Sequence, residues 1–113
     1  PVTIQAVETL ADGLAPVRPG DLTFAHVRDL VDEIVTVPDD AIARAATRLL
    51  TEAKLVVEYS GAATVAALLA GKVSARGGPV VAVLSGGNLD PARIPQLVGG
   101  AGATHSGTSA PRR

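Results

Sequence analysis

The clearest periodic pattern begins after Pro38, where apolar residues recur every three or four positions. This spacing predicts an amphipathic helix. Its apolar face comprises Ile42, Ala45, Ala46, Leu49, Leu50 and Ala53. Asp39 and Asp40 fall in the first turn, where negative charge interacts favourably with the helix dipole. The segment is therefore expected to pack one face of a helix against a core.

Weaker patterns predict further helices on either side of this one. An apolar stripe predicts a helix for which Thr23 can act as the cap. The stripe comprises Phe24, Val27, Leu30, Val31 and Ile34. Residues 1–20 show little periodicity and predict a loop with one helical turn. An alanine-rich helix is expected from Gly61 to Ala70, with Gly71 suited to end it, and a short helix is expected over residues 92–98.

Two short runs of β-branched and aliphatic residues predict strands, at residues 34–37 and 80–84. The second run is continuously apolar, which is typical of a parallel strand buried on both faces. It leads directly into Ser85, Gly86, Gly87 and Asn88. Ligands of open α/β sheets bind at the carboxyl ends of strands, so this turn is a candidate binding site.

Composition favours a small α/β domain. The chain has 113 residues, of which 47% are hydrophobic and only 2% aromatic. Alanine, valine and leucine therefore supply nearly all of the apolar volume, which suits helices packed on a parallel sheet. The chain has no cysteine, which excludes disulfides and thiolate chemistry and mildly favours an intracellular, cytoplasmic protein.

Charge and hydropathy argue against two classes of partner. The formal net charge of -1 and the scattered arginines give no basic face, and only Phe24 and Tyr59 could stack on a base. Nucleic acid is therefore not an expected partner. The longest apolar stretches are also far shorter than a bilayer span, so no membrane segment is expected.

The residues of the Ser85 turn allow two interpretations. Glycines at a strand end can serve only the backbone geometry of the turn, with Asn88 or Asp90 capping the next helix. They can equally let the backbone approach a ligand, for which Ser85 offers a hydroxyl donor and acceptor. Short glycine motifs are weak evidence, and the turn alone favours the first interpretation.

Four segments in register resemble one enzyme family. Residues 83–90 resemble the Leu-Ser-Gly-Gly-Asn-hydrophobic-Asp signature of fold-type II pyridoxal-phosphate enzymes, in the threonine dehydratase and serine racemase branch. Residues 11–15, 22–37 and 54–67 resemble three further segments of that branch, in its order and spacing. Together they cover residues 9–90, most of the chain.

The resemblance implies a fold and an activity. The fold is α/β, part of a three-layer sandwich like that of the tryptophan synthase β-subunit, with a parallel sheet flanked by helices and the N-terminal half missing. Residues 1–98 would be the C-terminal portion of the catalytic large domain, and residues 99–113 a flexible tail. The activity would be β-elimination from L-threonine or serine, giving a 2-oxo acid and ammonia with pyridoxal 5'-phosphate as cofactor.

The resemblance also implies the cofactor-binding residues. Ser85 would hydrogen-bond the pyridine nitrogen of the cofactor, and Gly86 and Gly87 would allow close approach to the ring. Glu58 would face the active-site side of the cofactor, although a carboxylate at a helix start is as well explained by free backbone N–H groups. Gly13 would lie near the ring, although a loop glycine needs no function.

The sequence departs from the family beside Glu58, because Tyr59 stands where the family usually has proline. This departure changes the expected turn and the local shape of the pocket. Tyr59 could direct its hydroxyl into the site, but a buried phenol with a structural partner is the more ordinary arrangement.

Several catalytic parts of the family are not found in the chain. Lys54 and Lys72 are its only lysines, and neither lies in the Ser-x-Lys-x-Arg-Gly context of the Schiff-base lysine. No glycine-rich phosphate loop is present, so no catalytic residue is assigned. No metal site is expected either, and His26 and His105 are interpreted as incidental.

Two functional hypotheses follow. In the first, the chain is the C-terminal segment of a dehydratase, inactive alone, and it pairs with the missing N-terminal half or self-associates because apolar strand edges would otherwise stay uncovered. In the second, it is a non-catalytic truncated module that binds a partner subunit or a small anionic ligand at the Ser85 turn.

Overall fold

A computed structural model describes residues 1–74 and 77–99. Within them the chain forms four α-helices: α1 (Asp21–Leu30), α2 (Asp39–Thr51), α3 (Tyr59–Leu69) and α4 (Ile94–Gly99). Two 3-10 turns, Asp12–Leu14 and Pro91–Arg93, accompany them. The helical turn expected within residues 1–20 is therefore confirmed. The expected tail lies outside the described residues, apart from Gly99, which ends α4.

Helix α1 differs from the prediction at both ends. It begins at Asp21, after Gly20 in an extended conformation, so Thr23 lies inside the helix and does not cap it. The Thr23 hydroxyl donates to the Gly20 carbonyl at 2.9 Å, whereas a cap would accept from a backbone amide. The backbone turns extended at Val31, which leaves Ile34 outside the helix and 76% exposed.

Helices α2 and α3 form the core. Helix α2 begins as its spacing predicts and buries Ile42, Ala45, Ala46 and Leu49, but it ends at Thr51, so Ala53 lies beyond it and is exposed. Helix α3 begins at Tyr59, two residues before the predicted start, and ends where Gly71 takes a positive φ of 64°. The core contains many alanines, so the backbones of the two helices lie close together. This small-residue core agrees with the composition.

The predicted strands do not form within residues 1–74 and 77–99. Residues 34–37 and 80–84 have no regular secondary structure there. A strand requires a ladder of backbone hydrogen bonds to a neighbour, but the 80s segment is attached to α3 by isolated contacts. Thr64 donates its hydroxyl to the Val83 carbonyl at 2.9 Å, and the Glu58 amide donates to the Gly86 carbonyl at 3.1 Å. The parallel sheet therefore stays a prediction.

Two polar contacts attach other segments to α2. At its first residue, Asp39 accepts hydrogen bonds from the Thr9 hydroxyl at 2.6 Å and the Leu10 amide at 2.8 Å. In its third turn, Thr47 donates to the carbonyl of Leu97 in α4 at 2.8 Å. Helix α2 thus holds both the N-terminal segment and the C-terminal helix.

Many large apolar side chains outside this core are exposed. Val81 is 83% exposed and Leu30 75% exposed. None of the helices in the described ranges is both long and apolar enough to cross a membrane. The exposed aliphatic side chains extend from the N-terminal segment through α1 to residues 80–83.

Candidate functional site

Glu58 and Gly86 form the centre of the candidate site. Glu58 immediately precedes α3 in an extended conformation, and its amide hydrogen bond to Gly86 brings residues 84–87 against the start of that helix. The Glu58 side chain covers Gly86 so closely that a β-carbon on Gly86 would lie 2.6 Å from the carboxyl carbon. The lack of a side chain at Gly86 therefore leaves room for Glu58, independently of any ligand.

Gly61 tightens the same contact from the first turn of α3. A β-carbon on Gly61 would lie 2.9 Å from both the backbone nitrogen and the carbonyl oxygen of Gly86. Real β-carbons are essentially never so close to backbone atoms, so α3 can approach this segment only because Gly61 has no side chain. The sequence did not single out Gly61, although its place directly before the alanine-rich run of α3 could have suggested a packing role.

One cleft opens beside Glu58, with a volume of about 630 Å³. It contains two of the site residues expected from the sequence, Glu58 and Gly13. Its other lining residues are Leu10, Asp12, Tyr59, Asn88, Leu89, Asp90 and Arg93. Polar side chains from three distant parts of the chain therefore converge here, and Arg93 is the only cation among them. No sequence motif indicated Arg93.

A second cleft, of about 390 Å³, holds the remaining expected residues. Ser85, Gly86 and Gly87 line it together with Leu84 and residues 55–57. Ser85 is exposed, so its hydroxyl is accessible to a ligand. The structure thus places the five candidate residues on two clefts, which meet where Glu58 contacts Gly86.

The three candidate glycines have different surroundings. A β-carbon on Gly13 would lie 2.8 Å from the hydroxyl oxygen of Ser60, and one on Gly86 would overlap Glu58. A β-carbon on Gly87 would meet only the Val56 carbonyl, at an ordinary 3.4 Å. Internal packing accounts for Gly13 and Gly86 but not for Gly87. Among the described residues, no atom explains why position 87 is a glycine.

Tyr59 is a core residue at the margin of the first cleft. It is 8% exposed and is the first residue of α3. A proline at this position would also suit a helix start, because the first turn has no intrahelical partner for its N–H groups. Tyrosine keeps the helix start and adds a buried ring beside Glu58.

The two lysines do not line either cleft. Lys54 follows α2 with a left-handed φ of 60° and directs its ammonium group to the carbonyl of Thr51. Lys72 is exposed after the end of α3. Neither lysine lines the cleft beside Glu58 or the one beside Ser85.

The described ranges contain no group of three or more histidine, aspartate or glutamate side chains arranged to hold a metal ion. His26 lies on α1, with Nδ1 2.8 Å from the carbonyl oxygen of Leu22 four residues earlier. His105 lies outside the described residues.

Known proteins resemble the chain in both sequence and structure. The family model described as pyridoxal-phosphate dependent enzyme matches residues 1–86. An L-threonine ammonia-lyase of Geobacter sulfurreducens is 49% identical over 98 residues, which are 87% of this chain and 23% of that protein.

Solved structures extend the likeness to the fold. A pyridoxal 5'-phosphate-dependent aspartate racemase superposes with a TM-score of 0.74 at 31% identity, over 81% of this chain and 30% of that one. The processed form of threonine deaminase isoform 2 from Solanum lycopersicum gives 0.72 at 31% identity, over 89% and 30%. The chain spans less than a third of the length of each of these three proteins.

Proposed function

The chain belongs to the family of pyridoxal-phosphate-dependent enzymes, and we propose that it is the C-terminal segment of a threonine/serine dehydratase. Such an enzyme converts L-threonine to 2-oxobutanoate and ammonia by β-elimination. The relative named L-threonine ammonia-lyase, 49% identical, supports this reaction. The observation that carries the proposal is the accessible hydroxyl of Ser85 beside Gly87, next to the carboxylate of Glu58.

The surroundings of Ser85 suit the ring end of the cofactor. A pyridine nitrogen needs one polar partner at the edge of a flat apolar ring, and Ser85 offers a hydroxyl flanked by Leu84 and residues 55–57. Gly87 leaves open the space that a side chain would fill. A phosphate would need a cradle of backbone amides, which we assign to another segment of polypeptide.

Each residue of the proposed site has a limited task. Pyridoxal phosphate, when bound, supplies an electron sink for the pair of electrons left after the substrate loses its α-proton. Ser85 would donate its hydroxyl to the ring nitrogen and, because the hydroxyl is neutral, would leave that nitrogen largely unprotonated, which would temper the sink and favour elimination over transamination. Glu58, held against Gly86, places its carboxylate between the two clefts.

The proton-transferring lysine must come from elsewhere. Lys54 and Lys72 lie outside both clefts, so we propose that this chain alone does not catalyse the reaction. On this view residues 1–98 are part of the catalytic large domain, with the parallel sheet completed by strands from another segment, and residues 99–113 are a tail.

The exposed apolar surface supports a polypeptide partner. Val2 and Leu22 are each more than 70% exposed, as are Leu30, Ile34 and Val81. Large contiguous apolar surface is rare on monomeric proteins and marks an interface. We infer that the N-terminal half of the enzyme covers it, with self-association as the alternative for the isolated chain. Both inferences would be contradicted if the 113-residue chain sedimented as a monomer and also melted in one cooperative transition.

The decisive experiment is a chimaera in which this chain replaces the matching segment of the Geobacter sulfurreducens relative. We expect the chimaera to bind pyridoxal phosphate through the relative's lysine, with the characteristic shift in cofactor absorption, and to release ammonia from L-threonine. The isolated chain serves as the control and should show neither signal.

The gene should also be read upstream of Pro1 for Ser-x-Lys-x-Arg-Gly and a glycine-rich loop.

A soluble, folded chimaera that binds no cofactor would overturn the dehydratase proposal. The result would instead favour the second hypothesis, a non-catalytic module that binds a partner subunit or a small anion at the Ser85 turn. A chimaera that binds cofactor but acts on serine and not threonine would keep the family and change the substrate.

A further inference from the structure

One carboxylate attaches the N-terminal segment to α2. Both oxygens of Asp39 are used, Oδ1 by the Thr9 hydroxyl at 2.6 Å and Oδ2 by the Leu10 amide at 2.8 Å. These hydrogen bonds lower the pKa of the Asp39 carboxyl, because they stabilise its charged form. Hydrogen bonds to an ionised acceptor are shorter and stronger than neutral ones.

The same hydroxyl of Thr9 continues the network toward the cleft. It accepts a hydrogen bond from the Ala11 amide at 3.1 Å, while Ala11 itself is buried in the core at 2% exposure. The Ala11 carbonyl then accepts from the Leu14 amide at 2.8 Å, which closes the 3-10 turn that contains Gly13. An unbroken series of hydrogen bonds therefore joins Asp39 to this turn.

The 3-10 turn packs against Ser60 in an arrangement that is unfavourable for the Ser60 hydroxyl. Gly13 packs on Ser60, and the Ser60 hydroxyl is buried with no hydrogen-bond partner among the described residues. Burying an unpaired hydroxyl is unfavourable, because its hydrogen bonds to water are lost and not replaced. The turn is nevertheless held on Ser60, by the burial of Ala11 in the core and by the Asp39 network attached to it.

We propose that Thr9 and Asp39 are positioning residues, a latch that holds the Gly13 turn on the start of α3 and so fixes one wall of the cleft beside Glu58. Leu10, Asp12 and Gly13 of this turn line that cleft. The identity of the ligand affected rests on the proposed function, whereas the latch itself does not.

The latch is tested first in the 113-residue chain by amide hydrogen exchange. Thr9→Val removes the hydroxyl and keeps the shape, and we expect exchange at Leu10 and Ala11 to accelerate about tenfold. Thr9→Ser should restore protection. Thr51→Val is the matched control, because Thr51 makes a comparable hydroxyl bond, to the Thr47 carbonyl at 2.8 Å, at the far end of α2. Unchanged exchange in Thr9→Val would overturn the latch.

The effect on the site is tested in the chimaera defined above. We expect Thr9→Val to reduce the visible circular dichroism of the bound cofactor and to lower kcat/KM about tenfold, with Thr51→Val unchanged. Adding Ser60→Ala removes the unpaired hydroxyl, so the double variant should recover the cofactor signal even though Ala11 still exchanges fast. If Thr9→Val lowered the melting temperature but left the cofactor signal unaltered, the contact between Thr9 and Asp39 would be purely structural.

The two tests separate failure of the latch from failure of the proposed function. If the unaltered chimaera binds no cofactor, the dehydratase proposal fails, and the exchange experiment alone decides the latch. If the chimaera is active and exchange responds but the cofactor signal does not, positioning of the site is overturned.

Discussion

The Glu58 side chain occupies the space that a β-carbon on Gly86 would need, while its backbone amide donates to the Gly86 carbonyl at 3.1 Å. The two residues are 28 positions apart in the sequence and come from separate motifs of the family. Their contact joins the cleft beside Glu58 to the cleft beside Ser85. Most of the candidate site therefore depends on the contact between Glu58 and Gly86.

Gly86→Ala should destabilise the protein by about 0.5–1.5 kcal/mol, because the added methyl group forces the flexible Glu58 side chain out of its rotamer. In a thermal or urea melt of the chimaera, combining it with Glu58→Ala should recover part of the loss, since the second change removes the clash. Purely additive effects in this double-mutant cycle would show that the two side chains do not compete for the same space.

Gly87→Ala is the matched comparison. Its new β-carbon would make only an ordinary contact with the Val56 carbonyl, at 3.4 Å, so the free energy of unfolding should barely change. Cofactor affinity, measured by fluorescence titration, should fall about tenfold if a ring lies against this backbone. Unchanged affinity would indicate that Gly87 serves only the turn.

Ser85→Ala removes the proposed partner of the ring nitrogen. We expect about tenfold weaker cofactor binding, the value of one hydrogen bond, with melting unaffected because Ser85 is exposed. Ser85→Thr retains a hydroxyl and should bind the cofactor more tightly than the alanine variant. Equal affinities of the two variants would count against the hydrogen bond.

Asp39 gives the protein a component of stability that depends on pH. Hydrogen bonds from Thr9 and Leu10 lower the pKa of its carboxyl below the ordinary 3.8, although burial and the like charge of Asp40 act to raise it. Because the folded value is the lower one, the stabilisation is present above the unfolded pKa and is lost as pH falls through the folded pKa. Asp39→Asn should therefore melt earlier than wild type at pH 6, and the difference should disappear as the pH falls through the lowered pKa of Asp39.

An NMR titration isolates this contribution. Thr9→Val should raise the pKa of the Asp39 carboxyl toward 3.8, because it removes the largest cause of the shift. An unchanged titration would contradict the hydrogen bond from Thr9.

Thr47→Val should loosen α4. Thr47 is 9% exposed and shares its hydroxyl between the carbonyls of Leu97 at 2.8 Å and Ala43 at 3.0 Å. The substitution leaves the Leu97 carbonyl without this partner, at a cost of about 1–3 kcal/mol in the free energy of unfolding. Thr47→Ser should cost less. Faster hydrogen exchange across residues 94–99, absent in the serine variant, would localise the effect.

Local signals predicted α2 and α3 better than α1. The spacing of Ile42, Ala45 and Leu49 identified the buried face of α2, and Gly71 marked the end of α3. Thr23 misled because an extended Gly20 starts α1 earlier, a backbone property that side-chain type does not reveal. The strand prediction at residues 80–84 depends on neighbours to pair with, and the described ranges supply no ladder for it.

The sequence predicted which residues belong to the candidate site, but not how they are arranged in space. The motifs indicated Ser85, Glu58 and Gly13, yet nothing in their order shows that Glu58 covers Gly86 or that Ser60 lies under Gly13. Those contacts join residues far apart in the chain, and they depend on how α3 meets two separate segments. Arg93 carried no signal because a lone arginine near a helix start is ordinary.

Helix α2 meets neither candidate cleft with its own side chains, yet it holds the segments on both sides of the larger one. Asp39 at its first turn secures the Gly13 side, and Thr47 two turns later secures the helix that follows Arg93. Helix α2 therefore links the two sides of this cleft. A rotation of α2 about its axis would shift both sides of the cleft together.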